Sequence, residues 1–167
     1  VHKAAIKSRR RFTYEEVDEY LADPKAWKSK LKPEVHALIG RMHKLAMILR
    51  RRRFERGALE LTMPGVKVDL DGEGRVSGAH LVENTGSHQI IEEFMLAANE
   101  GVATLLDEAE MIFLRRIHES PDPRKQKALT DFVKELGFET ESLESRFEIQ
   151  KLLAEVRGTP QEHAVNY

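Results

Sequence analysis

The 167 residues include no cysteine, which excludes disulfides and thiolate metal sites. Net charge is nearly absent as well. Lys and Arg number 27 against 28 Asp and Glu, leaving −1 at pH 7. No global field therefore draws the chain to nucleic acid or a membrane, and any such attraction must come from local charge. No apolar run approaches the roughly 18 residues that a membrane-spanning helix needs. A Ser-His-Asp order, a phosphate-binding loop and a dinucleotide glycine fingerprint are all missing, as are internal repeats and low-complexity linkers. What is present is 41% hydrophobic and 33% charged residues, a charge-rich but foldable composition with length for one domain and one core.

The local signals are mostly helical. Residues 2 to 7 are short and mixed, compatible with a strand. In "TYEEVDEYLAD", Thr13 and Glu16 have capping-box spacing, and Tyr14, Val17, Tyr20 and Leu21 recur at helical intervals. "DPKAW" breaks that helix, and Pro33 opens a longer one that Gly57 ends. Its expected buried stripe is Leu38, Met42, Leu45, Ala46 and Leu49. The period then drops to two in "ALELTM", "VKVDL" and "RVSGAHLV", which predicts three antiparallel strands. "DGEG" at 71–74 has the start of a calcium loop but neither its other ligands nor its length, and reads as a hairpin turn.

Ser87 is the expected cap of the next helix, which reaches about Leu106. "MIFLRRIH" fits a strand or a helix; Asp122-Pro123 opens a helix closed by Gly137, and another spans about 143 to 157. The predicted class is α+β, mostly helical, with a small antiparallel β-meander. Near the end, Thr159, Pro160 and Glu162 are spaced as cap, first helical residue and reciprocal cap. A helix announced so late leads us to expect a piece of a longer protein.

The stretch "IIEEFMLAAN", residues 90–99, raises the question of its two adjacent glutamates. At about 100° per residue, Ile91, Phe94, Met95, Ala98, Val102, Leu105 and Leu106 share one face. Glu93 then points nearly opposite, toward solvent, while Glu92 lies on the flank with His88 and Asn99. Such a polar line serves either capping and boundary polarity or a groove that meets a ligand's hydroxyl or amide. His88 and Glu92 also have the spacing of two metal ligands on a helix, with no third in view. "RRRRFERG" at 50–57 suits phosphates or a solvated helix end. "KSRRRFTY" at 7–14 places basic residues before aromatics, a mixture that fits single-stranded nucleic acid or, alternatively, Phe12 and Tyr14 as core anchors. "RRIHESP", with His118 and Glu119, lacks a third catalytic element.

Taken in order, "SRRRFTYEEV", "RRRFERGALEL", "HQIIEEFMLAAN" and "FLRRIHESPDPRK" resemble the catalytic (RNB) domain of the ribonuclease II and ribonuclease R family, slightly closer to the ribonuclease R members. The resemblance runs from about Ile6 to Tyr167. It implies 3′-to-5′ hydrolysis of single-stranded RNA to nucleoside 5′-monophosphates in a cytoplasmic enzyme. It also implies magnesium or manganese held by an aspartate cluster, and flanking OB-fold domains. The family's aspartate cluster, which precedes the "SRxRxTY" segment, and its arginine-bearing "SPIRRYxD" motif have no counterpart here. The chain is thus expected to be a central portion, truncated at both ends, holding no catalytic residue and no metal, inactive alone and self-associating through uncovered apolar surface.

Two positions carry over for RNA binding, and a third, Leu61, is a candidate RNA contact at which the family residue is not kept. Tyr14 matches the tyrosine beside the terminal nucleotides. Glu92 matches the glutamate that contacts the terminal nucleotide and favours ribose. Leu61 stands where many members place a stacking phenylalanine, and so lacks the π component. The rival expectations are a catalytically dead RNA-binding paralogue and a helical interaction module that binds no RNA.

Overall fold

A computed structural model describes residues 2–61 and 65–166. Its element order is α1 (Tyr14–Ala22), α2 (Pro33–Glu55), β1 (Gly65–Leu70), β2 (Val76–Val82), α3 (Gly86–Glu108), α4 (Pro123–Glu135), α5 (Arg146–Val156) and α6 (Glu162–Asn166). Two compact units form. One takes the chain up to Arg51 together with Asn84–Arg115; the other takes Arg52–Glu83 and the chain from Arg116 onward. The class is α+β and mainly helical, as the sequence predicts.

In the first unit the capping box forms at α1: the Thr13 hydroxyl accepts from the Glu16 amide and the Glu16 carboxylate accepts from the Thr13 amide. Two donors that a helix start leaves unpaired are thereby satisfied. Tyr20, Trp27, Leu31 and Ile39 make the core, with Phe12, Val17, Leu21 and Val35 packed around them. Trp27 comes from the "DPKAW" break, so that turn is also a core anchor. The Tyr20 hydroxyl reaches the His36 carbonyl at 2.8 Å, which lets a phenol end inside the core. The stripe predicted on α2 is only partly right. Ala46 is buried, but the other fully covered position is Ile39, while Leu38 and Leu45 are about half exposed. Residues 2–7 form no strand.

In the second unit Val133, Leu143, Leu152 and Val156 make the core, joined by Phe138, Ile149 and Val165. Asp122 caps α4 by accepting from the Arg124 amide, with Pro123 at the first position. Gly137 ends α4 at φ +91, a left-handed value that glycine adopts without strain. Gly57 does the same after α2: its amide bonds the Phe54 carbonyl and the Ala58 amide bonds the Arg53 carbonyl. The Gln150 side-chain amide donates to the carbonyls of Phe54 and Ala58 at 3.0 and 2.6 Å.

Only two strands pair among the described residues, β1 with β2, antiparallel with a register irregularity between Asp69 and Leu70. Residues 58–61, expected to start a third strand, run as irregular chain, and the rest of that expected strand lies outside the described residues. The "DGEG" turn forms as read: Asp71 Oδ1 accepts from the amides of Glu73 and Arg75, and Gly74 takes φ +77. "MIFLRRIH" is neither helix nor strand. Its apolar run, Met111 to Leu114, has no partner strand among the described residues to reward an extended pairing. At α6 the expected capping box does not form. The Thr159 hydroxyl donates back to the Val156 carbonyl, Glu162 accepts from the Gly158 amide, and the helix starts only at Glu162. A threonine just past a helix can finish the preceding helix instead of starting the next, and here it does the former.

Candidate nucleic-acid interface

The site is built where α1 meets the start of α3. Thr85, not Ser87, is the N-cap of α3, yet its side chain makes no capping bond. The cap is supplied from α1. Asp18 Oδ1 accepts from the Ser87 amide at 2.9 Å, and Asp18 Oδ2 accepts from the hydroxyls of Thr85 and Ser87 at 2.7 and 2.9 Å. Gly86 permits the approach, because a Cβ there would stand 3.0 Å from Leu21 Cδ1. A carboxylate against the amides of a helix start is favourable both as a hydrogen-bond acceptor and toward the helix dipole. Burial pushes the Asp18 carboxyl up, but the Thr85 and Ser87 hydroxyls, the Ser87 amide and the charge that His88 can carry outweigh it. The group is held below the ordinary carboxylate range.

This network also sets the state of His88. Thr85 Oγ1 lies 2.8 Å from His88 Nδ1. The single Thr85 proton goes to Asp18, so the hydroxyl oxygen must accept from Nδ1–H. In the neutral ring Nε2 is then the acceptor. The Tyr14 ring lies on the imidazole, with centroids 4.0 Å apart and planes 12° from parallel. Tyr14 is 44% exposed, so it is not a core anchor, whereas Phe12 is half-buried and packs on the core. Glu92 follows His88 by one helical turn, is half-buried, and accepts from Asn84 Nδ2 at 3.4 Å. Beside these residues is a hollow of about 800 Å³ whose walls include Phe12, Tyr14, Leu38, Met42, Ile90 and Ile91, together with Arg9, Arg10 and Arg11.

Glu93 overturns its expected placement. It is 3% exposed and pairs with Arg50 at 4.0 Å. The covered side of α3 carries Ser87, Ile90 and Glu93, while much of the apolar stripe is open, with Ile91, Met95, Val102 and Leu105 between 40% and 59% exposed. Periodicity defines the faces of a helix; its neighbours decide which face is covered. Here Asp18 and Arg50 supply charged partners that make burial of a polar face possible.

The basic runs divide in the same way. Arg50 turns to Glu93, while Arg53 lies over the Phe54 ring at 5.3 Å. Arg10 bonds the Lys30 carbonyl and Glu16 and lies over the Phe12 ring at 4.6 Å, whereas Arg9 and Arg11 are exposed.

Tyr14 and Glu92 therefore come together around His88, in the first unit. Leu61 belongs to the second, where it is 47% exposed. Among the described residues no three His, Asp or Glu side chains gather into a group that could hold a metal ion. His88 and Glu92 engage Thr85 and Asn84 instead. No helix among the described residues is long and apolar enough to cross a membrane. Asp18, Thr85 and Ser87 escaped the sequence reading as one cluster, because Asp18 is 67 and 69 residues away from its partners. The usable signal was local: Thr85 and His88 stand three apart, the spacing of a cap and its reciprocal residue.

The RNB domain family model matches residues 1–167. The chain belongs to the RNB domain family. It is 37% identical to the Ribonuclease R of Thermotoga maritima over 163 residues, which is 96% of this chain and 23% of that protein. It is 31% identical to the Ribonuclease R of Aquifex aeolicus, covering 100% of this chain and 24% of that one. A probable exosome complex exonuclease RRP44 of Caenorhabditis elegans is 34% identical over 83% of this chain and 14% of its own length. The chain thus spans about a quarter or less of these RNB relatives. The RNase R of Mycoplasma genitalium, solved in complex with ribose methylated single-stranded RNA, superposes with a TM-score of 0.80 at 21% identity, over 93% of this chain and 24% of that one. That likeness establishes the fold.

Proposed function

We propose that this RNB segment forms part of the RNA-holding surface of a cytoplasmic 3′-to-5′ exoribonuclease that releases nucleoside 5′-monophosphates from single-stranded RNA. The observation that carries the reading is the open Tyr14 ring seated on His88, one helical turn from the Glu92 carboxylate. An exposed ring offers a stacking face to a base, and a neighbouring carboxylate can accept from a ribose 2′-hydroxyl that DNA lacks. Exposed Arg9 and Arg11 supply charge for phosphates. Leu61 adds an apolar contact to a base without π-stacking. The whole chain, 1–167, is read as the central part of one catalytic domain. Among the described residues no three His, Asp or Glu side chains gather to hold a divalent ion, which supports assigning the magnesium or manganese of such an enzyme to residues outside this segment, and the segment alone is read as inactive.

The test uses the complete enzyme and two oligonucleotides, one ending in ribose and one in 2′-deoxyribose. Glu92→Ala should bring the two rates together. Glu93→Ala should lower stability, because Arg50 loses its buried partner, and leave the ratio of rates alone. Equal changes in that ratio would sink the assignment, and binding of RNA without hydrolysis by the unsubstituted protein would favour a dead paralogue. We also propose that the isolated segment self-associates, since Ile112 and Leu114 are fully exposed and Met95 and Ile117 largely so. Light scattering at high concentration checks this; a clean monomer counts against it.

A further inference from the structure

We propose that His88 is a positioning residue of the nucleotide site, holding the Tyr14 ring in its stacking pose while Thr85 and Asp18 hold His88. The inference rests on the RNA reading above, and adds a role for residues that reading does not use. Tyr14 is the first residue of α1, and its ring is about half exposed. A phenol so placed has several rotamers open to it unless something selects one. The contact that selects is the near-parallel His88 imidazole at 4.0 Å. One face of Tyr14 is thereby occupied, which leaves the other for a base.

An imidazole on a helix surface can itself turn, so the platform needs its own anchor. Nδ1–H donates to Thr85 Oγ1 at 2.8 Å, Thr85 donates to Asp18 at 2.7 Å, and Asp18 is fixed by the Ser87 amide and hydroxyl. Each side chain in this series has its hydrogens committed in one direction, from imidazole to hydroxyl to carboxylate. The series ties the rotamer of an exposed ring on α1 to the first turn of α3, the helix that also carries Glu92. The stacking face and the ribose-reading carboxylate are thus held by one helix. This is the second-layer support that a binding constellation needs to keep its geometry.

The experiment uses the complete enzyme, with divalent ions chelated so that RNA is bound and not cut. Affinity for a fluorescent single-stranded oligoribonucleotide is measured for Tyr14→Ala, His88→Ala, their double variant, and His88→Phe. His88→Ala should weaken binding about 2- to 10-fold, the scale of one aromatic pair. The double variant should be no weaker than Tyr14→Ala alone, and His88→Phe, which supplies a ring for the stack but no Nδ1–H for Thr85, should recover only part of the loss; full recovery would overturn the anchoring through Thr85 and Asp18. A second readout needs no RNA. The Tyr14 ring resonance, identified by its loss in Tyr14→Phe, should move downfield in His88→Ala as the shielding imidazole is removed. Additive losses in the double variant, or an unmoved Tyr14 resonance, would overturn the proposal. If the unsubstituted enzyme binds no single-stranded RNA, the RNA reading fails and the nucleotide role of His88 fails with it. The ring resonance separates that failure from an absent His88–Tyr14 coupling.

Discussion

Asp18 concentrates three donors on one carboxylate, and its titration should be visible in stability. Its folded pKa is lowered, so its contribution is fully present above the unfolded value of about 3.9 and is lost as pH falls through the folded value. Asp18→Asn should cost about 1–2 kcal/mol at neutral pH, the scale of a lost helix cap, and should flatten the acid limb of a denaturation profile. An unchanged acid limb would show that Asp18 does not carry this linkage. At this scale the sequence was a partial guide. The separation of Glu92 from Glu93 was legible from 100° steps, but their burial was inverted for Glu93. A glutamate enters a covered face only when a cation such as Arg50 waits there, and Arg50 is 43 positions earlier in the chain than Glu93.

Elements were more legible than faces, because helix ends are written in adjacent residues. The box at Thr13, the Asp122-Pro123 start and the glycines after α2 and α4 all form as read. Gly57 permits a direct check. Its φ is +91, and a Cβ would come within 2.6 Å of the Arg146 side chain. Gly57→Ala should therefore destabilise the second unit by about 1 kcal/mol or more, measured by urea denaturation, whereas an exposed helical alanine substitution would not. What failed at this scale failed for want of partners. Strand periodicity in 58–61 had no strand to pair with among the described residues, and the apolar stripe of α3 was not the side its neighbours covered.

For the whole molecule the composition pointed to one core, whereas each unit has its own cluster. Leu143 is fully buried in the second, and Leu143→Ala should cost about 2–5 kcal/mol there, read as a lowered unfolding midpoint. The class was accessible from periodicity, and the family from four ordered segments. The interleaving of the chain was not, since no local signal reports that residues 52–83 and 84–115 belong to different units.

That interleaving has a consequence in time. Each unit closes a long loop: Asp18 waits for Thr85 and Ser87, while Phe54 and Ala58 wait for Gln150, 96 and 92 residues later. Synthesis proceeds from the N-terminus, and local turns form far faster than distant closures. The first unit can thus be complete once Arg115 has emerged, with the end of α2 and the β1–β2 hairpin already made but still unclamped. The nascent chain passes through a stage in which the first unit is finished and the hairpin hangs from it, tethered to a second unit that has yet to close.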